Sequence, residues 1–264
     1  MSRLVDRYGP WAVVTGASDG IGAATARRLA AEGFALVLVA RRQDRLTELA
    51  EELRAAYRAE IETLALDLGT AAGVAALQQA GAARDIGLLV AAAGFGTAGA
   101  FLARPVADEL AMLDVNCRAV LVLTHHFGNR FAARGRGGIV LFSSIVAFQG
   151  VPNTANYAAT KAYVQSLAEG IGPELRAGGV DVLAVAPGPV RSGFAARAGM
   201  RMGATDSPAT VAEGLLGALG RRSLVRPGPL SKLLAFALGF LPRRGRVWMM
   251  GKVMSGMAKP DHGA

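Results

Sequence analysis

The sequence predicts an α/β fold in which buried strands and amphipathic helices alternate along the chain. Short apolar runs recur, and each is followed by a segment whose apolar residues have helical spacing. The 264 residues, 52% of them hydrophobic, fit one large α/β domain. No apolar run reaches the roughly 18 residues that a membrane-spanning helix needs.

The first strand ends in a glycine-rich turn. Residues Trp11–Val14 form an apolar run, Thr15–Gly22 reads TGASDGIG, and 23–32 has helical spacing. Glycines here let the backbone turn sharply and approach a pyrophosphate, which the amide groups of the helix N-terminus would bind. The pattern favours dinucleotide binding. The alternative is a turn that needs glycine only for a positive φ.

The second strand, 34–40, ends in Arg41 and Arg42. An arginine at this position accommodates the 2′-phosphate of NADP(H), whereas an acidic residue would favour NAD(H). We therefore expect NADP(H), bound through Arg41. The alternative is that both arginines simply begin a solvated helix, and this alternative applies to Arg42 in particular.

Two further strands end in residues that suit a ligand. The strand 61–66 leads into Asp67, whose carboxylate would accept a hydrogen bond from an adenine or cap the next helix. The strand 86–90 leads into Ala91-Ala92-Ala93-Gly94, where small residues allow a ligand to approach the backbone.

The segment 106–133 is predicted to be one long helix with Asn116 in its middle. Asparagine is unfavourable inside a helix, so Asn116 either faces solvent or has a specific task. His125 and His126 are adjacent and therefore diverge on a helix. With no third ligand nearby, we expect no metal site.

A Tyr-x-x-x-Lys pair follows the fifth strand. Tyr157 and Lys161 share one helix face, and Ser144 ends the apolar run 139–144. A nearby ammonium would lower the pKa of the phenol and make Tyr157 a usable proton donor to a carbonyl, while Ser144 hydrogen-bonds the same oxygen. Surface helices also produce this short pattern by chance, so it gains weight only from the rest of the chain.

Together these motifs resemble the short single-domain branch of the short-chain dehydrogenase/reductase family. The resemblance covers roughly residues 9–227, in order and spacing, and includes Pro187-Gly188-Pro189-Val190 after the strand 180–186. It implies a Rossmann-type doubly wound parallel sheet of about seven strands flanked by helices, and hydride transfer to or from a nicotinamide.

The resemblance also implies roles for individual residues. Tyr157 would be the acid/base, Ser144 would hold the substrate oxygen, Lys161 would bind the nicotinamide ribose, and Asn116 would hold a relay water. Ser144 and Tyr157 would thus contact the substrate. We expect the cofactor to contact Gly16, Ser18, Asp19, Gly20, Ile21, Gly22, Arg41, Asp67, Leu68, Ala93, Gly94, Tyr157, Lys161, Pro187, Gly188 and Val190.

The sequence departs from the family pattern in two places. The family usually has Asn-Asn-Ala-Gly where this chain has Ala91-Ala92-Ala93-Gly94, so we expect some lost rigidity there. We also expect a catalytic domain over 1–227 and a basic, apolar extension over 228–264. Nine basic residues and one acidic residue follow Glu213, which places +8 of the +9 net charge in the last 51 residues.

Two interpretations of the extension remain open. Its apolar run, 230–241, is too short to span a bilayer. We expect it to pack over the substrate cleft or into a subunit contact, and the alternative is peripheral membrane contact through residues 229–250. An apolar extension near the cleft favours a hydrophobic substrate in either case.

The leading functional hypothesis is an NADP(H)-dependent oxidoreductase that interconverts a carbonyl and an alcohol. The alternatives are a catalytically silent nucleotide-binding sensor or scaffold, and the family's epimerase/dehydratase branch, which the glycine spacing disfavours. We expect a small-molecule partner, a homo-oligomer (dimer or tetramer) and no nucleic acid. The single Cys117 and the absence of a secretory signal indicate the cytoplasm, with peripheral membrane contact as the option above.

Overall fold

The computed structural model describes residues 3–257, so Lys259 and Asp261 of the charge count lie outside the described residues. Its centre is a seven-stranded parallel sheet in the order β3-β2-β1-β4-β5-β6-β7. The strands are β1 (Trp11–Thr15), β2 (Ala35–Ala40), β3 (Ile61–Ala65), β4 (Ile86–Ala91), β5 (Gly137–Phe142), β6 (Val180–Val185) and β7 (Leu224–Val225).

Helices cover both faces of this sheet. They are α1 (Arg3–Tyr8), α2 (Gly20–Ala31), α3 (Gln43–Tyr57), α4 (Ala71–Ala82), α5 (Val106–Leu113), α6 (Val120–Ala133), α7 (Ala155–Arg176), α8 (Phe194–Ala198), α9 (Pro208–Ala218), α10 (Pro229–Gly239) and α11 (Arg243–Met257). The predicted doubly wound, Rossmann-type fold is therefore confirmed.

The strands are buried on both sides, as parallel strands covered by helices must be. Alternate residues of β1 show this, because Val14 belongs to the core under α2, α3 and α9, and Val13 to the core under α4, α6 and α7. The carboxyl ends of all seven strands consequently form one edge, where loops meet and ligands bind in folds of this kind.

Two predicted elements differ in detail. The strand expected to end at Ser144 ends at Phe142, and Ser144 instead caps a short 3₁₀ helix, Ile145–Phe148. The helix expected over 106–133 is continuous but contains a π-helical turn, Asp114–Ala119. Such turns are rare and concentrate at functional sites, and this one carries Asn116.

The C-terminal helices α10 and α11 lie over the carboxyl edge of the sheet. Their inner side chains, including Leu234, Met250 and Met254, join Ile145 and Met200 in a third apolar cluster. No helix within residues 3–257 combines the length and apolarity needed to cross a membrane.

A buried polar contact fixes the start of α10. The Ser231 hydroxyl donates to Asp206 Oδ2 at 3.1 Å and accepts the Gly188 N–H at 2.7 Å. Ser231 is fully buried and Asp206 is 7% exposed, so water cannot replace these bonds readily. The contact ties α10 to the loop after β6.

We predict that Ser231→Ala lowers the free energy of unfolding by about 1–3 kcal/mol, because Gly188 loses its acceptor and Asp206 one of its donors. Chemical denaturation measures this change. Ser255→Ala is the matched control, since Ser255 is exposed on α11 and bonds only to a carbonyl of its own helix and to Asn153. Equal destabilisation by both substitutions would contradict the prediction.

Candidate active site

The turn after β1 has no room for side chains at two glycines. Gly16 has φ +68°, and a Cβ there would lie 2.9 Å from the backbone of Ala92. A Cβ at Gly22 would collide with the Gly16 carbonyl. The turn therefore holds α2 against the end of β1 and leaves an open backbone surface, which is the cradle that a pyrophosphate requires.

Asp19 caps α2 and also reaches the loop after β6. Its Oδ1 accepts the Gly20 N–H at 2.7 Å and its Oδ2 accepts the Gly193 N–H at 2.9 Å. The carboxylate thus joins the glycine-rich turn to the segment that begins α8.

A cleft lies at the carboxyl edge of the sheet, next to the glycine-rich turn, and three arginines line it. Arg41 and Arg42 both line it, and Arg42 Nη2 donates to the Ser18 carbonyl and hydroxyl at 3.2 and 3.3 Å. Arg42 thus begins α3 as an exposed residue, as the alternative expected, and in addition contacts the glycine-rich turn. The guanidinium carbon of Arg197, on α8, lies 4.0 Å from the centroid of the Phe95 ring. Burial and the positive charge of Arg41 lower the pKa of Arg197, and the negative charge of Asp67 offsets part of this decrease. No motif in the sequence indicated Arg197.

Asp67 and Leu68 line the same cleft. Asp67 does not cap α4, because Thr70 does so by accepting the Gly73 N–H at 3.0 Å. Asp67 Oδ1 instead accepts the Gly69 N–H at 2.9 Å and the carboxylate stays exposed. It remains accessible to a ligand.

Buried side chains from other elements brace the end of β4. Asn116 is 1% exposed; its amide accepts the Phe95 N–H at 3.1 Å and donates to the Phe95 carbonyl at 2.8 Å and to Thr160 at 3.1 Å. The Thr15 hydroxyl accepts the Ala93 N–H at 3.0 Å. These bonds hold the backbone where the sequence suggested lost rigidity.

Tyr157 and Ser144 line the cleft, and the buried Lys161 lies beside Tyr157 without lining the cleft itself. The Tyr157 ring packs on Phe194 with centroids 5.3 Å apart, and Ser144 lies within hydrogen-bonding reach of the phenol. Lys161 Nζ donates to the Phe142 carbonyl at 2.8 Å and lies 5.7 Å from the Tyr157 ring centroid. Gly94 borders this group, since a Cβ there would contact both Asn116 and Lys161.

The pKa of Tyr157 moves opposite to the expected direction. Burial raises it well above its ordinary value, and the hydrogen bond with Ser144 offsets only part of this effect. Burial also lowers the pKa of Lys161 to about 8. Desolvation disfavours both charged forms, because the two groups share a site that excludes water. The phenol is consequently protonated at neutral pH.

The loop after β6 closes the site from the other side. The Pro187 carbonyl accepts the Ile145 N–H at 3.1 Å, Gly188 binds Ser231, and Val190 forms a bridge with Asp206. Pro187, Gly188 and Val190 all line the cleft.

The cleft, about 850 Å³ in volume, continues beyond Tyr157 into an apolar chamber. Leucine, methionine, valine and alanine side chains from the loop after β6 and from α10 and α11 line this part. They are Met200, Met202, Leu230, Leu234, Ala237, Leu238, Leu241, Met249, Met250, Val253, Met254 and Met257. Within residues 3–257, no three His, Cys, Asp or Glu side chains form a group that could hold a metal ion.

Comparison with known proteins gives the same family by sequence and by structure. The family model described as short chain dehydrogenase matches residues 10–202. A 7beta-hydroxysteroid dehydrogenase of Clostridium sardiniense is 33% identical over 183 residues, 69% of this chain and 70% of that protein. A very-long-chain 3-oxoacyl-CoA reductase-B of Danio rerio is also 33% identical, over 68% of this chain and 59% of that protein.

This chain is a short-chain dehydrogenase/reductase. A solved short-chain dehydrogenase from Sphingobium yanoikuyae in complex with NADPH is 30% identical, with a TM-score of 0.79 over 97% of this chain and 99% of that one. The dehydrogenase described here is thus an enzyme of the oxidoreductase class, and its fold carries a nucleotide-binding edge.

We predict that Lys161→Met stabilises this dehydrogenase near pH 7 by about 1–3 kcal/mol, because the folded protein then buries no ammonium. The folded-state pKa of about 8 lies below the unfolded value of about 10.4. Between these values the unfolded chain binds more protons, so wild-type stability rises with pH and the advantage of the variant shrinks. Denaturation at pH 7 and pH 9.5 measures it.

The matched control is Lys252→Met, which changes an exposed lysine of α11. Its effect should be small and nearly the same at both pH values. A Lys161→Met effect that does not change with pH would contradict the prediction.

Proposed function

We propose that this dehydrogenase interconverts a ketone and a secondary alcohol on a bulky apolar substrate, using NADP(H). One observation carries the proposal: Tyr157 lines a single cleft together with Arg41 and Arg42 and with leucine and methionine side chains of α10 and α11. When bound, the nicotinamide supplies the hydride that is added to the carbonyl carbon.

The proton chemistry belongs to the side chains of the chain itself. Tyr157 donates its proton to the carbonyl oxygen during reduction and takes it back during oxidation. Burial keeps the phenol protonated until then, and Ser144 holds the same oxygen in place. Lys161 presents its ammonium to the ribose and to the phenolate that forms. Asn116 fixes the backbone beside Lys161 and positions a relay water.

The choice of NADP(H) rests on charge at the end of β2. Arg41 and Arg42 both line the cleft, Arg42 bonds to Ser18, and guanidinium groups suit bidentate binding of a phosphate. The nearest carboxylate along the chain is Asp44, within the first turn of α3. The relative from Sphingobium yanoikuyae, which was solved with NADPH, supports the same choice.

The nature of the substrate rests on the chamber. The residues beyond Tyr157 that line it carry no charged side chain, so an ionised group there would lose its hydration without compensation. The relatives named for a hydroxysteroid and for a very-long-chain acyl compound both support a large apolar substrate.

A catalytically silent nucleotide sensor is the alternative. It would bind NADPH with the same residues but convert no ketone. Ser144 and Tyr157 line the cleft, and the buried Asn116 and Lys161 lie next to Gly94. This combination favours turnover. We also propose a homo-oligomer, because α5 and α6 leave Leu110, Leu113 and Leu121 exposed. Location in the cytoplasm stays a prediction from the sequence.

We predict that Tyr157→Phe lowers the rate of ketone reduction by about 10²–10⁴-fold with NADPH affinity nearly unchanged, because the ring stays and the transferable proton is lost. Reduction of a panel of steroidal and other bulky apolar ketones, followed by NADPH absorbance, measures it. Tyr163→Phe, on an exposed tyrosine of α7, is the control. Near-normal turnover by Tyr157→Phe would overturn the assignment, and a wild type without turnover would favour the sensor.

We predict that Arg41→Ala raises the Kd for NADPH at least tenfold and barely changes that for NADH, since only NADPH carries the 2′-phosphate. The difference should shrink with added salt. Fluorescence titration with both nucleotides measures it. Arg45→Ala is the control, because Arg45 is exposed on α3 and pairs with Glu48. Equal effects on the two nucleotides would exclude the role of Arg41.

A further inference from the structure

Helix α10 is apolar on two sides, although only one of them is covered. Its inner side chains Leu230, Leu234 and Leu238 line the chamber. On a second side, Leu233, Phe236 and Phe240 are 63%, 66% and 75% exposed. The two aromatic rings of this second set pack edge to face at 4.8 Å. We call Leu233, Phe236 and Phe240 the outer face of α10.

The three residues of the outer face form one continuous surface, because their spacing matches the turn of a helix. Residues 233, 236 and 240 are spaced by three and four, so they lie one above the other along α10. A helix that is apolar all round normally lies in a protein core or against lipid. Since the inner side chains already pack on the domain, the outer face is available to a partner.

Basic residues flank the outer face. Lys232 precedes Leu233, and Arg243 and Arg244 begin α11 three residues after Phe240; all three are exposed. Residues 214–257 contain eight arginines and lysines and no aspartate or glutamate. The surface is thus apolar with a cationic border, which is the combination that binds an interface of anionic lipids.

Trp248 and Lys252 continue the combination of apolar and basic residues along α11. The Trp248 ring is 59% exposed, and Lys252 Nζ lies 4.1 Å from its centroid. Tryptophan prefers the boundary between headgroups and acyl chains, where one part of the indole is apolar and its N–H is hydrated. This pair also favours a lipid interface.

A second copy of the chain fits the outer face less well. In a two-fold symmetric contact the same patch meets itself, so Lys232, Arg243 and Arg244 of each copy would face each other. No acidic residue of the segment 214–257 could compensate them. An anionic surface meets the same cations with attraction instead of repulsion.

We propose that the outer face of α10 docks this enzyme on an anionic membrane surface, with the helix lying in the interface. The eleven residues of α10 are too few to span a bilayer, so the contact is peripheral. Sequence alone favoured packing of this segment over membrane contact. In the structure the two are compatible, because they use different sides of α10.

The test is co-sedimentation of the full chain with vesicles. With vesicles containing 30% phosphatidylserine in phosphatidylcholine, we expect binding that weakens at least tenfold between 50 and 500 mM salt. Pure phosphatidylcholine should bind at least tenfold more weakly. Phe236→Ser/Phe240→Ser and Arg243→Gln/Arg244→Gln should each lower binding at least tenfold.

Matched controls keep the result specific. Tyr57→Ser/Leu102→Ser removes two exposed apolar residues, one on α3 and one between β4 and α5, and Arg221→Gln/Arg222→Gln removes two exposed cations before β7. Both should bind vesicles like the wild type. None of the substituted residues lines the cleft, so NADPH affinity and the melting temperature report that each variant is folded.

Two results would overturn the proposal. One is a folded wild type that ignores phosphatidylserine vesicles. The other is a wild-type oligomer, measured by analytical ultracentrifugation, that dissociates in Phe236→Ser/Phe240→Ser, since a second copy would then cover the outer face. Vesicle binding requires no turnover, so its failure is distinguishable from failure of the proposed reaction.

Discussion

The organisation of the site depends on how buried polar groups are satisfied at the carboxyl edge of the sheet. Strands end there, and their last N–H and C=O groups must find partners away from the ladder. The side-chain amide of Asn116 forms hydrogen bonds with both the N–H and the C=O of Phe95, which follows β4. It forms a third with the hydroxyl of Thr160, on α7. One buried amide therefore fixes the distance between β4 and α7. The π-helical turn allows this side chain to point inward from the middle of a long helix.

The same dry environment makes the site costly for stability and suitable for chemistry. Lys161 is held almost without water and Tyr157 is kept protonated, and both effects have desolvation as their largest cause. A solvated pair on a surface helix would have ordinary pKa values and no defined geometry. Burial is what distinguishes this pair from the same short pattern on a surface helix.

The C-terminal helices α10 and α11 contribute both to the cleft and to the protein surface. Ser231 bonds to the amide of Gly188 beside Tyr157, α10 and α11 complete the chamber, and the outer face of α10 carries the unpartnered aromatic pair. Helix α10 thus contributes both to the chamber of the proposed substrate and to the proposed docking surface. Asp206 anchors this arrangement from the loop after β6.

Local patterns in the sequence determined the order of the strands and helices, the glycine turn at Gly16, and the pairing of Tyr157 with Lys161 on one helix face. These follow from residue type and spacing, which short stretches of chain contain completely. Only the tertiary structure decided that Arg42 binds Ser18, that Arg197 borders the nucleotide groove and that burial raises the pKa of Tyr157. These three findings depend on contacts between side chains far apart in sequence and on the exclusion of water. Spacing along the chain reveals neither the contacts nor the exclusion of water.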